Sequence, residues 1–266
     1  GSAFYDYTDD GLKGDSLEGE PIDTGSYSEK RYGATLGGPI LKDKLFFFLA
    51  YEKLDGANLF DRVTSDSAIS GRRVNGVTDA QIAEIAQIAR DVYGYEVEPI
   101  TKSLPVEDEK FTVKLDWDIN ENHRASYTYN YNDGFNWSQS DSDDDEYEFV
   151  DHYYERGAEL KSHTAALFSN WTDRFSTEAR VSKLDLDNRQ QSRSGVRDLG
   201  IFGEAQIETW NDHDNDGSYS RALVYLGTDD SRQSNKLSYE ALNLKLAANY
   251  EAGNHLITAG FEQDDL

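Results

Sequence analysis

Phe111, Val113, Leu115, Trp117 and Ile119 alternate with Thr112, Lys114, Asp116 and Asp118, and this period of two predicts a strand with one apolar face. After a polar turn at Asn120, Glu121 and Asn122, the alternation resumes with Ala125, Tyr127, Tyr129 and Tyr131 apolar and Ser126, Thr128 and Asn130 polar. Two such runs around a short turn predict a β-hairpin. A second hairpin is predicted near the C-terminus. Leu242, Leu244, Leu246, Ala248 and Tyr250 form its first arm, Glu251 to Asn254 its turn, and Ile257, Ala259 and Phe261 its return. A third spans about Leu160 to Leu186 around Thr172, Asp173 and Arg174; its alternation slips near Lys183, where a bulge or strand end is expected. A fourth runs from Tyr32 to Leu41, turns at Lys42, Asp43 and Lys44, and returns from Leu45 to Lys53, an arm too continuously apolar to show its period.

The connections between hairpins are long, roughly 55–108, 132–159 and 187–235. Structureless loops beyond about 12–15 residues are uncommon in compact soluble domains, whereas outer-membrane barrels combine short periplasmic turns with long extracellular loops. Thr78 to Tyr93 interrupts the β pattern: Ile82, Ile85, Ala86 and Ala89 fall at helical spacing behind the cap residue Thr78, predicting a short helix in the first loop. Aromatics flank every short turn, with Trp117 before Asn120, Trp171 and Phe175 astride Thr172, Tyr250 before Glu251, and Phe46 to Phe48 after Lys42. In a barrel these rings form an interfacial girdle at headgroup level, although strand ends of any antiparallel sheet attract aromatics. The predicted class is all-β: a partial, antiparallel, up-and-down transmembrane β-barrel of about nine or ten strands.

Composition narrows the partners. There are 51 acidic against 26 basic side chains, a net charge of −25, so no nucleic acid is expected to bind, because phosphates need a basic face. Cysteine is absent, which removes disulfides, thiolate metal sites and cysteine nucleophiles. No apolar stretch approaches the 18 or more residues of a membrane helix, a limit that does not apply to barrel strands. The chain opens on Gly1 and Ser2 without methionine, and it reads as a fragment of something longer.

The segment Arg31 to Leu54, RYGATLGGPILKDKLFFFLAYEKL, resembles the early barrel hairpin of TonB-dependent outer-membrane receptors, especially the Oar-like branch. Within it, Gly37, Gly38 and Pro39 also predict a bend or strand end. The resemblance implies a 22-strand barrel with an N-terminal plug, in a Gram-negative outer membrane. Its partners would be lipid, an extracellular ligand, and an inner-membrane TonB complex that powers uptake. No plug-like sequence or TonB box is recognisable here, so residues 1–266 are expected to be a partial receptor barrel domain whose free edges await further strands.

Between Asn132 and Glu155 carboxylates are dense and no Lys or Arg occurs. Asp143 and Asp145 are the Ca²⁺ ligands this run would offer, against the reading of a solvated, mobile loop. Asp212, Asp214, Asp216 and Gly217 reproduce the opening D-x-D-x-D-G of a calcium loop, but Leu223 replaces the bidentate Glu of an EF-hand. A single Ca²⁺ loop and an ordinary Asp/Asn/Gly turn both remain open there. Ca²⁺ is the one cofactor these patterns suit, and none is required. Phe135, Trp137, Tyr147, Tyr153 and Tyr154 lie beside the acidic run; they either form a ligand-facing surface or pack to pin the loop. His123, His152, His163, His213 and His255 show no ligand spacing and read as surface or turn residues, and no nucleophile or phosphate-loop motif is present. The expected function is therefore binding and import without chemistry, not enzymatic. The alternative is a secreted, soluble all-β calcium-binding interaction or adhesion module, and a weaker third reading is a polysaccharide-active enzyme. A barrel leaves Val113, Leu115, Leu244 and Leu246 facing outward, whereas a sandwich buries them between two sheets.

Overall fold

The structure is a computed structural model and describes residues 1–14, 16–17, 20–21, 25–193, 203–229, 231 and 237–266. The chain runs β1 (Ser2–Asp9), a 3-10 turn (Asp10–Leu12), β2 (Ser16–Leu17), β3 (Glu20–Pro21), β4 (Ser28–Leu41), β5 (Leu45–Leu59), β6 (Arg62–Thr64), β7 (Arg72–Val74) and α1 (Asp79–Tyr93). It continues with β8 (Ser103–Asn120), β9 (His123–Ser138), β10 (Glu146–Glu148), a 3-10 turn (Val150–His152), β11 (Tyr154–Thr172) and β12 (Phe175–Ser192). The last elements are β13 (Ala205–Asn211), β14 (Ser220–Leu226), β15 (Leu237–Ala252) and β16 (His255–Asp265).

Nine of these strands form one sheet in the order β1-β4-β5-β8-β9-β11-β12-β15-β16, and every neighbouring pair is antiparallel. This is an up-and-down meander, open at β1 and β16. The four hairpin turns lie at one end of the sheet and the long connections at the other.

Because directly paired residues share a face of the sheet, register assigns the two faces. Phe47, Leu115, Tyr127, Ala165, Val181 and Leu244 form one row, and Leu45, Trp117, Ala125, Leu167, Ala179, Leu246 and Phe261 form the next row on the same face. The opposite face carries Lys114, Thr128, Thr164, Ser182 and Asn243 in one row and Asp116, Ser126, Ala166, Arg180 and Lys245 in another. Its charges pair there: Asp116 accepts from Lys114 and Arg124, each at 2.9 Å, and Glu178 from Arg180 at 2.9 Å and Lys245 at 3.4 Å. Among the described residues no second sheet lies over the apolar rows. Leu244 and Leu246 remain 38% and 58% exposed, while Val113 and Leu115, nearer the middle of the sheet, are half-buried by strand neighbours. A sandwich is thereby excluded, and with it the soluble module that required one.

The strands are longer than their apolar alternation. Past Tyr51 and Phe111 the apolar face turns charged, with Lys53 facing Glu107 at 3.7 Å; on β12 the change comes earlier, where Lys183 bridges Asp185 at 3.1 Å and Glu240 at 3.2 Å. The strands continue through these ladders, so the long connections shrink to 60–102, 139–153 and 193–236, with part of the last outside the described residues. The irregularity expected near Lys183 is absent: β12 pairs with β11 without a break there. Its change of chemistry marks the height at which the face turns from apolar to charged, not a change of phase. Gly37, Gly38 and Pro39 stay within β4, and the expected bend appears as a register shift between Pro39 and Leu41, beside the turn. β5 resolves its apolar run by placing Phe47 on the apolar face and Phe46 and Phe48 on the other. β1 was not predicted.

The buried core is in the long connections. α1, β6, β7, β10, β13 and β14 assemble into a cap around Val74, Val77, Ile85, Tyr95, Phe149, Val224 and Leu226. β10, β14 and β13 form its three-stranded sheet, β10 parallel and β13 antiparallel to β14. α1 begins at the expected Thr78 with a full capping box, in which the Thr78 side chain accepts from the Gln81 N–H and the Gln81 side chain accepts from the Thr78 N–H. It ends at Gly94 in the left-handed conformation, φ +66°. Gln81 also donates to the Trp210 carbonyl at 3.2 Å, docking the helix on β13. Gly76 lies so close to the Arg221–Ala222 backbone that a Cβ would sit 2.1 Å from the Arg221 carbonyl carbon. Thr78→Ala removes one reciprocal cap and is expected to cost about 1 kcal/mol, seen as faster amide exchange in the first turn of α1 with the rest of the cap unchanged. Unchanged exchange would show that tertiary docking alone holds the helix.

Candidate functional site in the cap

The acidic run belongs to the cap rather than to a free loop. Leu223 donates its N–H to the Asp145 carbonyl at 2.8 Å and Phe149 donates to the Tyr225 carbonyl at 2.9 Å, so β10 lies along β14. Arg221 reaches Asp145 at 2.6 Å and Arg72 reaches Asp144 at 3.1 Å. These arginines come from elsewhere in the chain and supply the positive charge the run lacks. Asp145 is thus engaged with Arg221, and Asp143 uses its backbone N–H to close a turn on Glu146 at 2.7 Å. Among the described residues neither Asp143 nor Asp145 belongs to a cluster of three ligand atoms within 4.8 Å of one another.

Trp137, Tyr147, Tyr153 and Tyr154 are buried and Phe135 is half-buried. Tyr147 enters the cap core. Trp137 and Tyr153 pack with Leu104, Val150, Phe60 and Phe135 where the cap meets the sheet. Burial pushes the Tyr147 hydroxyl up to about 12 and that of Tyr153 further. Four of these rings are buried and packed, the arrangement that the pinning reading describes. The aromatics that the described cap leaves exposed are Tyr93, Trp210 and Tyr219, which no periodicity singled out.

The joint between cap and sheet includes an ion pair. Arg193 contacts Glu98 through two nitrogens at 2.5 and 2.7 Å and stacks over the Trp137 ring at 4.6 Å. Both side chains are nearly buried. Arg193→Met leaves the Glu98 carboxylate largely desolvated and is expected to destabilise the joint by about 2 kcal/mol, below the full cost for a fully buried pair because water still reaches its rim. Amide exchange around Trp137 and Glu98 checks this, and an unchanged rate would refute it.

Asp212, Asp214 and Asp216 bring carboxylate oxygens within 4.8 Å of one another at an exposed turn. Asp212 already accepts the Asp216 and Gly217 N–H groups at 3.1 and 3.0 Å, and Asp216 accepts Ser218 at 2.7 Å, a bond that helps hold its carboxyl below the usual range. Asn215 and Gly217 take positive φ, as such a turn requires. The carboxylates thus close the turn themselves.

A second group was not anticipated. Asp141, His152 and Asp229 each place one ligand atom within 4.8 Å of the others. His152, read from the sequence as a surface or turn residue, has no exposed surface. Its ring stacks on Tyr225 at 5.3 Å. Glu148 lies alongside, its Oε1 accepting the Asp141 N–H, and burial pushes its carboxyl up to about 9. Burial also raises Asp151, which accepts from the Tyr95 hydroxyl and the Gly227 N–H. For Asp229 burial pushes upward too, but hydrogen bonds from Ser140 and Ser231 outweigh it and leave the carboxyl lowered. Asp141 and His152 share one connection, but Asp229 comes from another, 77 and 88 positions onward, so spacing could not reveal the group.

At the hairpin end Trp117, Trp171, Phe175 and Tyr250 are all exposed. Trp171 donates to Thr177 at 2.9 Å and packs edge-on against His123. One apolar and one polar face, a meander without crossovers, short turns at one end and a structured cap at the other define a segment of a membrane β-barrel. Residues 1–266 match the outer membrane beta barrel domain family, and the chain belongs to it. It is an outer-membrane protein in contact with lipid, and membership of this family accords with a non-enzymatic protein. No curated protein matches it. Similar solved structures are the Pseudomonas putida toluene transporter TodX (10% identity, 99% of this chain and 64% of that chain, TM-score 0.29) and the Ralstonia pickettii toluene transporter TbuX (10%, 99% and 64%, 0.31). The monoaromatic hydrocarbon channel CymD is similar at 10% identity over 98% of this chain and 63% of that chain, TM-score 0.30. The chain thus spans under two thirds of each. Likeness at this level carries neither substrate nor mechanism to it.

Proposed function

We propose that the chain is part of a TonB-dependent outer-membrane receptor of the Oar-like kind, which binds an extracellular ligand and imports it without chemistry. The observation that carries this reading is the β4–β5 hairpin. The Gly-Gly-Pro-Ile and Lys-Asp-Lys-Leu-Phe-Phe-Phe residues that resemble the receptors sit at a short turn of the meander, where an early barrel hairpin of that family belongs. The apolar rows face lipid, the rows through Lys114 and Arg180 face the lumen, and Trp117, Trp171, Phe175 and Tyr250 form the periplasmic girdle. The cap is then extracellular, and its acidic surface steers cationic or metal-chelated ligands toward it at a rate that falls with salt. The plug, the TonB-contacting segment and the strands that close the barrel lie in other parts of the polypeptide.

The test is to extract outer membranes in detergent, identify the polypeptide carrying these residues by mass spectrometry, and cross-link it to the inner-membrane energy-transducing complex in living cells. A chain far longer than 30.0 kDa that cross-links to TonB is the expected result. An outer-membrane species that never contacts TonB would leave a passive channel and overturn the receptor.

A further inference from the structure

His152 is oriented from both sides of its ring. Nδ1 lies 3.1 Å from the Gly227 carbonyl, an acceptor only, so Nδ1 carries the proton that donates to it. In the neutral ring Nε2 is then a bare lone pair, and it faces Asp141 Oδ2 at 3.0 Å. Two acceptors at that distance require a proton shared between them, on the ring or on the Asp141 carboxyl, or a metal ion. Metal-bound histidines characteristically donate their other nitrogen to a backbone carbonyl, as His152 does to Gly227.

The remaining donors favour the metal. Asp229, 1% exposed, brings a carboxylate oxygen to the group and is anchored by the Ser231 N–H and hydroxyl at 2.7 and 2.9 Å. Glu148 is only 2% exposed; one of its oxygens accepts the Asp141 N–H, and the other, Oε2, is buried with no hydrogen-bond partner. A buried carboxyl oxygen without a donor is costly unless the group is protonated or a cation satisfies it. One extra proton on His152 would answer Asp141 but would leave Glu148 unanswered. One imidazole nitrogen with carboxylate oxygens is a donor set for a borderline transition metal, whereas Ca²⁺ prefers six to eight oxygens. Tetrahedral ligands at about 2.0–2.1 Å lie roughly 3.3 Å apart, near the His152–Asp141 separation.

We propose that the cap holds one divalent transition-metal ion of the Zn²⁺ class, bound by Asp141, His152 and Asp229 with the Glu148 carboxyl beside them, which staples the 139–153 connection to the end of β14. The site is enclosed except at Asp141, whose side chain is about a third exposed and marks the route of entry. The ion is a resident structural element, and binding it stabilises the cap relative to its opened form.

The test uses the whole outer-membrane protein in detergent, purified without chelator, then stripped with EDTA and titrated calorimetrically with ZnCl₂ or CaCl₂. Metal content is read by mass spectrometry and cap integrity by protease cleavage within 139–153 and 203–229. The expected result is one Zn²⁺ per chain, cleavage at least tenfold faster after stripping, and protection restored by Zn²⁺ but not by Ca²⁺. His152→Gln, whose amide can still donate to Gly227, and Asp141→Asn are each expected to weaken Zn²⁺ binding tenfold or more. Asp141→Asn, at a partly exposed position, keeps the comparison valid if His152→Gln fails to fold. Failure of the stripped protein to take up Zn²⁺, cleavage indifferent to EDTA, uptake of Ca²⁺ alone, or undiminished Zn²⁺ binding in Asp141→Asn would overturn the proposal. Cap stability that falls in His152→Gln while ignoring metal would identify a protonated histidine pair instead.

Discussion

Val224→Asp is expected to open the cap while leaving the nine-stranded sheet intact. Val224 has no exposed surface and sits at the middle of β14, paired with Tyr147 of β10 on one side and Ile207 of β13 on the other. It belongs to the same buried cluster as Val74, Val77, Ile85 and Leu226, so a carboxylate there meets hydrocarbon and no cation. Introducing an unpaired buried charge costs about 4–5 kcal/mol or more, whereas Val224→Ala, which deletes only methyl groups, should cost about 2 kcal/mol. The sheet is held by its own strand-to-strand hydrogen bonds, which do not pass through this cluster. Limited proteolysis should therefore cut the 60–102 and 203–229 segments of Val224→Asp quickly and leave the hairpins uncut. A cap as resistant as wild type would show that these connections do not fold as one unit.

The second large effect separates the two faces of the sheet. Leu115→Arg places a cation in the middle of the apolar rows, between Phe47 and Tyr127, and should cost about 2–4 kcal/mol of folding into lipid. Ser182→Arg faces the other way, in the row with Thr164 and Asn243, and should cost less than about 1 kcal/mol, since lumen positions stay hydrated. Urea titrations of the whole protein folding into vesicles measure both. Equal costs would remove the assignment of the apolar rows to lipid.

The meander was legible because both of its signals are local. Alternation at period two around Asn120–Asn122 or Glu251–Asn254 needs only neighbouring residues to state a strand, a turn and a returning strand, and the capped 3.6-residue spacing behind Thr78 states a helix in the same way. Strand ends were misjudged where alternation passed from apolar against polar to charged on both faces. Lys183 looked like a slip because its charge stands in an otherwise apolar register, and only its partners Asp185 and Glu240 show why it is there.

The 132–159 segment shows the opposite limit. Its carboxylates and rings fit a mobile acidic loop, and nothing local says that β14, about 75 residues onward, supplies the edge and Arg221 supplies the charge. His152 has no ligand spacing for the same reason: Asp141 lies in its own connection, but Asp229 arrives from the next one, 77 residues onward.

Sequence by itself therefore determined the all-β class, the hairpins, the apolar face and the position of the helix, all of which follow from side-chain periodicity over fewer than about twenty residues. Tertiary structure alone decided that the long connections form a cap with its own core, that the loop aromatics are buried, and that His152 meets two aspartates. Those outcomes depend on which distant segments meet, and a burial energy shared between them leaves no periodic trace in either one.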